Sequence, residues 1–455
     1  MPHTGIPWLR CLRMRFAMTP DCTRKGIRPP IVRIRRPHPS GCLPSRIVNA
    51  PNDKLTVRVY ESLEALQALL PAWEELLSAF PAATIFSTWE WLAPWWRAFG
   101  AGRNLMVLGF FDSSEKLVGL APLAALTERV GPGLKLRSLS LMGDGSQDSD
   151  NLDVPVRPGY EEKVARTLLD LLHSSAAAWD LCCLNTLPGD SPCGNALLRE
   201  LNRWHWTCFT ESRPSLVVEM PNTWEEYLRQ LTSKERGKVG YLTRRLEKDY
   251  SVRYLKCTEN CLEPALDALF HLHQNRWQAR GEPGSFASQE RQRFYRELSL
   301  GLLKRGWLEF WLLELDGKKV AAQFAFRYAK TVFTLQEGFD LAYSSQSVGY
   351  VLRARVLRQL IGEGVRRYDF LAGSGSSKTR WGTCERQYID IHFARPWTLG
   401  AFYLRGRTWA AATKEQLRAH LPQRAWAAFH GVNLRLRGIP GRSPVQREAK
   451  TEGPT

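Results

Sequence analysis

The chain has 455 residues, of which 44% are hydrophobic and 24% charged, and a formal net charge of +18. This length exceeds the size at which one hydrophobic core stops growing, so two domains are expected. Residues 1–50 hold ten Lys or Arg and one Asp, and residues 391–455 hold eleven Lys or Arg and three acids, which leaves residues 51–390 at +1. A nearly neutral body argues against extended nucleic-acid contact. Ten cysteines without a C-x-x-C pair argue against a zinc site or a disulfide framework.

The first 50 residues are predicted to be a disordered basic extension. They are rich in Arg and Pro, and no apolar run follows the basic residues to make a signal peptide. No stretch of eighteen apolar residues occurs, so no membrane-spanning helix is predicted. We expect reduced thiols and a cytoplasmic protein. If its basic ends contact an anionic surface, the protein is expected to associate peripherally with the inner membrane.

A first domain with mixed strands and helices is predicted over residues 55–220. Alternating and helical spacings predict a strand at 55–60, helices at 62–80 and 89–99, strands at 105–111 and 117–126, a helix at 161–174 and a strand at 179–184. The polar loop 143–151 carries three aspartates, but it lacks the glycine position and the terminal Glu of a calcium loop. No metal site is therefore predicted.

A second domain is predicted over residues 221–396. Its expected elements are helices at 223–231 and 236–249, a strand at 251–256, helices at 262–280 and 288–305, strands at 307–315, 319–328 and 330–339, a helix at 348–363, and strands at 366–371 and 389–394. This order is not the strand–helix alternation of a doubly wound nucleotide-binding fold. The predicted fold class is mixed α+β, and the similar order in residues 55–220 suggests an old duplication.

The C-terminal segment 397–455 is predicted to be a basic helical tail. Within it, residues 401–436 mix Trp, Phe and Leu with Arg and Lys at helical spacing. A basic amphipathic helix can lie on an anionic membrane leaflet. The same pattern also fits a helix that packs back on the body with its charges in water, and the sequence leaves both interpretations open.

A helix N-terminus in the second domain is a candidate phosphate site. The strand predicted at 330–339 leads through the small polar loop 344–347 into a helix that opens with Val348-Gly349-Tyr350. The first amides of a helix and its positive dipole end suit a phosphate, and Gly349 allows close backbone approach. Because many helices begin in this way only for capping reasons, the pattern alone is a weak indication.

Several short motifs along residues 55–396, each present once, match the motifs of one family in their order and spacing. They are Phe86-Ser87-Thr88-Trp89-Glu90-Trp91-Leu92 with Trp95-Trp96, Val118-Gly119-Leu120-Ala121-Pro122-Leu123, Leu272-His273 with Arg276-Trp277 and Gly281, Ser347-Val348-Gly349, and Tyr368-Asp369-Phe370-Leu371-Ala372-Gly373 through Lys378. Together with the order of elements they resemble the GNAT acyltransferases, and within them the CelD/BcsL branch, which is related to the FemAB aminoacyltransferases.

The sequence departs from that branch at two positions. Val348 stands where the branch usually has Pro, and Ser377 stands where it has a Tyr before the lysine. Valine is tolerable at a helix start, whereas the missing tyrosine leaves the detail of the substrate contacts open.

The resemblance implies an acyl-CoA donor site in residues 319–369. In GNAT enzymes the central strand holds the pantetheine arm, and the following loop and helix hold the pyrophosphate. The residues that this implies are Ser347, Val348, Gly349, Tyr350 and Arg353.

The resemblance also implies a carboxylate base, because an amine acceptor arrives as an ammonium ion and must lose a proton. Glu337, near the end of the central strand, is the first candidate, and Asp369 on the next strand is the second. Lys378 is a candidate for binding a phosphate or carboxylate of the substrate, and Asp150 and Asn151 are candidates for contacting the acceptor. Each has a plain alternative as a surface charge, a cap or a loop residue.

The function implied is transfer of an acyl group from acyl-CoA, or from an acyl carrier, to an amine of a cell-envelope polysaccharide or lipid precursor. The link to polysaccharide and cellulose production comes from the family alone. One alternative is a FemAB-like enzyme that takes an aminoacyl group from tRNA, the only case in which a nucleic-acid partner is expected. Another is a GNAT-like scaffold without catalytic activity in a polysaccharide-synthesising assembly.

Overall fold

The computed structural model describes residues 46–48, 55–131, 133–146, 148–175, 179–279 and 281–420. The predicted extension 1–50 is therefore described only at Arg46–Val48, which forms strand β1 and pairs with the next strand, so those three residues correct the prediction of disorder. The rest of the extension, and the predicted tail beyond residue 420, lie outside the described residues.

The first half of the described chain follows β1 with six strands and five helices. They are β2 (Thr56–Tyr60), α1 (Leu63–Gln67), α2 (Leu70–Ala79), α3 (Trp89–Phe99), β3 (Asn104–Phe111), β4 (Leu117–Gly131), β5 (Leu134–Leu141), α4 (Glu161–Ser174), β6 (Leu181–Pro188), α5 (Pro192–Arg203) and β7 (Thr207–Glu219).

The second half begins with two additional helices, gives its strands in a matching order with two helices instead of three between the first and second strand, and ends with a further helix. Its elements are α6 (Trp224–Gln230), α7 (Ser233–Asp249), β8 (Val252–Lys256), α8 (Leu262–Gln278), α9 (Gln289–Lys304), β9 (Leu308–Leu315), β10 (Lys318–Tyr328), β11 (Thr331–Phe339), α10 (Val348–Gly362), β12 (Arg367–Ala372), α11 (Ser376–Thr379), β13 (Cys384–Ala394) and α12 (Leu399–His420).

Most of the predicted elements are present, with local corrections. The helix predicted over 62–80 is two helices, and Ser62 caps the first, because its Oγ accepts the Ala65 N–H at 3.2 Å. Gly364, with φ of +75°, follows the end of α10 and stops the helix there. The sequence interpretation missed β5, α5 and β7. With these three elements included, β2 to β7 match β8 to β13 one by one, which fits the suggested duplication.

The thirteen strands of the described residues form one sheet, in the order β1-β2-β3-β4-β5-β6-β13-β7-β12-β11-β10-β9-β8. The last strand of each half lies against the other half: β13 pairs with β6, and β7 pairs with β12. These two strands also pair with each other along eleven residues, from Cys384 opposite Val217 to Ala394 opposite Thr207. The two predicted domains thus share a single sheet.

The second half packs helices on both faces of its strands. One apolar core holds α8 and α9 against β9 to β11, and it continues into the first half through Trp91 and Phe294, whose rings lie 5.4 Å apart. The other core holds α6, α7 and α10 against the opposite face. Strands in a sheet present alternate residues to the two faces. This alternation decides which side chains of β11 and β12 lie on the α10 side.

Candidate active site

Two parallel strands in the second half pair only briefly and then separate. β11 and β12 are in register at Thr331–Phe333 opposite Arg367–Asp369, and the pairing ends there. Beyond it, the register between β10 and β11 skips Leu335, which forms a bulge in β11. Bulges remove a residue from the ladder and re-aim its backbone groups. The two strands therefore separate beyond Phe333 and Asp369, and we call the region between their carboxyl ends the cleft.

The backbone of β12 is also irregular at this cleft. Its register with β7 shifts between Asp369 and Ala372, and Leu371 has φ of +59°. A branched side chain in the left-handed region costs free energy, and such residues cluster at functional sites. The irregularity turns the end of β12 away from a regular ladder just where the cleft opens.

Asp369 is buried at the base of the cleft. Its Oδ1 accepts the Leu371 N–H at 2.7 Å. Tyr368 and Phe370 belong to the core on the α10 side, so Asp369 between them lies on the opposite side of the sheet. Burial raises the pKa of Asp369 to about 6, with a smaller contribution from the negative charge of Asp150. The sequence predicted this residue as a candidate base.

Asp150 and Asn151 reach the cleft from the first half. Both lie in the loop that follows β5, and the Asp150 Oδ2 accepts the Ala372 N–H at 3.0 Å. The Asn151 Nδ2 donates to the hydroxyl of Tyr388 on β13 at 2.8 Å. Burial raises the pKa of Asp150 above its ordinary value. The two residues predicted to contact an acceptor therefore lie beside Asp369, more than two hundred positions away along the chain.

Lys378 joins the two sides of the cleft. Its Nζ donates to the carbonyl oxygens of Phe370 at 2.9 Å and Ala372 at 2.6 Å. Burial lowers its pKa, while the charges of Asp150 and Asp369 act in the opposite direction. The ammonium group thus sits close to both carboxylates and holds the irregular end of β12.

Glu337 and Arg353, both singled out from the sequence, form an ion pair on the α10 side. The Arg353 guanidinium also lies over the rings of Phe370 at 4.9 Å and Trp381 at 5.7 Å. The Glu337 carboxylate is therefore bound to a buried cation and is separated by the sheet from Asp369. The structure does not bring the two candidate bases together.

The N-terminus of α10, the candidate phosphate cradle, follows a left-handed residue. Ser347 is left-handed, with φ of 55°, and its carbonyl oxygen accepts the Tyr350 and Val351 N–H groups at 2.9 and 3.1 Å. The Val348 side chain is buried. A Cβ added to Gly349 would lie 3.6 Å from Phe339, an ordinary contact, so this glycine is not required by packing.

Tyr350 packs rather than projecting from the helix. Its ring lies 4.5 Å from that of Trp381, and its hydroxyl donates to the Glu235 Oε2 at 2.9 Å. The Nζ of Lys238, on the basic helix α7, lies 4.9 Å from the ring centroid. A cation therefore stands beside the α10 N-terminus, although the side chains of Val348 and Tyr350 are used for packing.

Gln323 is a residue that the sequence interpretation missed. It lies on β10 opposite Glu337 and is only 1% exposed, and neither its Oε1 nor its Nε2 has a partner among the described residues. The signal was present, since Gln323 interrupts an otherwise apolar strand, Val320-Ala321-Ala322-Gln323-Phe324. The amide adds unsatisfied polar groups to the α10 side of the sheet beside Glu337.

Replacing Gln323 with Met should raise the free energy of unfolding by about 1 kcal/mol, because the change keeps the side-chain length and removes a buried amide without partners. Urea denaturation of the two proteins measures the difference. A loss of stability would contradict the expectation and would mean that the amide is hydrogen-bonded in solution.

Asp153 offers a second test, away from the cleft. Burial raises its pKa to about 7, and its Oδ1 accepts the Ser191 hydroxyl at 2.7 Å. The unfolded carboxyl ionises near pH 4 while the folded one stays protonated to about pH 7, so this group makes the protein less stable as pH rises between these values. Asp153→Asn should therefore be more stable than the wild type, by a margin that grows from pH 4 to pH 7 and then levels off. Urea titrations across pH 4–8 measure it, and a margin independent of pH would contradict the raised pKa.

Comparison with known proteins agrees with this architecture. Residues 233–379 match the family model described as an acetyltransferase (GNAT) domain. The crystal structure of FemX superposes with a TM-score of 0.50 at 10% identity, covering 70% of this chain and 95% of that one. A tandem GNAT protein from the clavulanic acid biosynthesis pathway covers 75% of this chain and 99% of its own, with a TM-score of 0.43 and 12% identity. The structure of L-PGS from Bacillus licheniformis covers 74% of this chain and 96% of its own, with a TM-score of 0.46 and 12% identity. No curated protein matches the chain.

The chain therefore has a mixed α/β GNAT fold, and its second half carries the GNAT domain. The cleft between β11 and β12, with Asp150, Asp369 and Lys378 around it, lies in that half. Membership of the CelD/BcsL branch stays a prediction.

Proposed function

We propose that the protein is an N-acyltransferase in which Asp369 removes the proton of an amine acceptor. The observation that carries the proposal is the pair of carboxylates, the buried Asp369 and the half-buried Asp150, beside the divergence of β11 and β12. A base must be ionised when the substrate arrives and basic enough to take a proton. A pKa of about 6 gives Asp369 both properties near neutral pH.

The two sides of the sheet divide the substrates. The α10 side, with the backbone cradle at Ser347 and the nearby cation Lys238, suits the phosphates of a donor. The opposite side, with Asp150 and Asp369, suits a cationic amine. Asp369 takes one proton from the ammonium group, and the freed amine nitrogen forms a bond to the thioester carbonyl carbon. The carbon–sulfur bond then breaks, and the leaving thiolate takes the second proton that the nitrogen loses. Holding the two reactants at one cleft provides much of the acceleration.

Lys378 and Glu337 have supporting parts in this proposal. Lys378 fixes the irregular end of β12 through the Phe370 and Ala372 carbonyls and balances the charge of the two aspartates. Glu337 holds the Arg353 guanidinium in place under α10. We therefore prefer Asp369 to Glu337 as the base, in reverse of the order suggested by the sequence.

The donor is tested by melting the purified protein with CoA, acetyl-CoA and a long-chain acyl-CoA. A donor at one hundred times its Kd adds about 2.7 kcal/mol of stability. Gly349→Leu should abolish the shift, since it places a bulky side chain at the helix start where its Cβ makes only an ordinary contact, whereas Gly362→Leu, at the exposed end of the same helix, should keep it. No shift with any of the three compounds would contradict an acyl-CoA donor and favour the aminoacyl-tRNA alternative, which predicts RNA binding with a steep salt dependence.

The acceptor class rests on the family resemblance. An amine of an envelope polysaccharide or lipid precursor fits a cytoplasmic enzyme, and a link to cellulose synthesis is part of the same proposal. The scaffold alternative makes a different prediction: a protein with Glu337→Gln and Asp369→Asn would keep its full cellular function. Loss of function in that folded double variant would instead support catalysis.

The exposed face of α12 supports contact with an anionic membrane surface. Ala401 and Leu404 are buried against the body, while Trp397 and Trp409 are 79% and 72% exposed, and Phe402 between them is also exposed. Indole rings favour the membrane interface, and the nearby arginines match anionic headgroups. No helix within the described ranges is long and apolar enough to cross a membrane.

Vesicle sedimentation tests this contact. The protein should bind phosphatidylglycerol vesicles and not phosphatidylcholine vesicles, and a Phe402→Ser, Trp409→Ser double variant should lose the binding. The matched control is Leu300→Ser, which removes an exposed leucine elsewhere. Equal binding by the double variant would contradict the proposed surface and favour the interpretation of α12 as a helix that only packs on the body.

A further inference from the structure

Two cysteines lie together at the start of α8, away from the cleft. Cys257 follows β8, where its N–H donates to the Phe310 carbonyl oxygen at 2.7 Å, and its side chain is buried. Cys261 is the N-cap residue of α8 and is partly exposed. The two sulfur atoms are 3.6 Å apart. A disulfide requires about 2.05 Å, so closing the bond needs a movement of less than 2 Å.

The surroundings activate one thiol and leave the other inactive. The Thr258 N–H donates to the Cys261 Sγ at 3.1 Å, and the Thr258 hydroxyl lies 3.6 Å from the same atom. Burial alone would raise the pKa of Cys261, but the hydrogen bonds from Thr258 and Cys257 outweigh it and lower the pKa. Burial raises the pKa of Cys257 to about 12. A partly exposed thiol with a lowered pKa, 3.6 Å from a buried thiol, is the arrangement of an attacking and a resolving cysteine.

We propose that Cys257 and Cys261 form a redox-active dithiol that is oxidised by low-molecular-weight disulfides. The Cys261 thiolate attacks one sulfur of such a disulfide, forms a mixed disulfide and releases one thiolate. Cys257 then gives up its proton and attacks the Cys261 Sγ, which forms the Cys257–Cys261 bond and releases the second thiolate. Two protein thiols are oxidised, and one small disulfide is reduced to two thiols.

The other described cysteines provide internal controls. Cys182 and Cys193 are buried, and burial raises the pKa of both. Cys384 is exposed, and its Sγ lies 3.4 Å from the Val217 carbonyl oxygen. Cys384 therefore serves as an exposed reference thiol, whereas Cys261 is the partly exposed thiol that lies against a second sulfur.

The test uses the full-length folded protein in buffers with increasing ratios of oxidised to reduced glutathione, followed by acid quenching and tryptic mass spectrometry. Trypsin cuts after Lys256 and after Arg276, so both cysteines lie in one peptide. Oxidation makes this peptide lighter by two hydrogen atoms. We expect this form to replace the dithiol form within the range of glutathione buffers, while Cys384 remains a thiol or carries only glutathione.

Two variants separate the roles of the two sulfurs. Cys257→Ser should accumulate glutathione on Cys261 at least tenfold faster than on Cys384, because the thiolate attacks and nothing resolves the product. Cys261→Ser should leave Cys257 unmodified. The proposal is overturned if the peptide stays reduced at every ratio in the folded protein, or if Cys261 of the Cys257→Ser protein reacts no faster than Cys384.

Discussion

Asp369→Asn should lower kcat/KM for acyl transfer by about 10²- to 10³-fold, because an amide cannot accept the ammonium proton. Donor binding should persist, since the backbone cradle at Ser347 lies on the other side of the sheet. In the wild type, kcat/KM should rise with pH through about 6, where the buried carboxyl of Asp369 ionises. The variant should not show this rise of kcat/KM. Steady-state kinetics between pH 5 and 8, with donor binding measured separately, provide both readouts.

The control for this experiment is Asp153→Asn. Asp153 is likewise buried with a raised pKa, but it binds Ser191 at the start of α5, outside the cleft. Its substitution should leave kcat/KM and its pH profile unchanged. If Asp369→Asn kept its activity and Glu337→Gln lost it with the same acidic limb, Asp369 would not be the base.

Neither half of the chain should fold alone. A protein cut at Pro221 leaves β12 without β7 and leaves β13 without either of its neighbours, β6 and β7. Unpaired inner strands expose backbone groups and apolar faces that the full sheet covers. Residues 221–420 expressed alone should show no cooperative unfolding transition in urea, whereas the two pieces expressed together should assemble and regain one.

The opposite result would have a clear meaning. A cooperative transition in isolated 221–420 would show that the second half is an independent domain, as the sequence prediction of separate units at 55–220 and 221–396 implies. Circular dichroism and tryptophan fluorescence, followed through the same titration, would distinguish a folded half from a collapsed one.

The sequence predicted the donor half of the fold well because its strands are strongly patterned. β9 is buried along its full length, so its mostly apolar run predicts a strand. α10 ends at a glycine, so its helical spacing and its stop signal predict the same boundary. β7 was missed because Pro214 and a run of polar residues obscure it, although its neighbours β12 and β13 cover both of its edges. Such pairing is tertiary information that a local pattern does not contain.

The sequence predicted which residues belong to the candidate site, but it did not predict which of them lie next to each other. Asp150, Asp369 and Lys378 were each named, but their proximity depends on a loop of one half reaching a strand of the other. The Leu335 bulge and the strained Leu371 have no clear sequence signal, because both arise where a ladder fails to continue. The pairing of Glu337 with Arg353 could have been anticipated from opposite charges on a strand and its following helix.

The loop after β5 has a counterpart, since β5 corresponds to β11 and the loop after β11 leads to the α10 cradle. In the first half this position carries Asp144, Asp148, Asp150 and Asp153, whose carboxyl groups bind Asn185, Arg291, the Ala372 N–H and the Ser191 hydroxyl. A loop lined with carboxyl oxygens that these groups already engage does not offer a polyphosphate the backbone amides of a helix N-terminus. The binding stoichiometry should therefore be one donor per chain although the two halves are related, and titration calorimetry with the donor that shifts the melting temperature should give a single site.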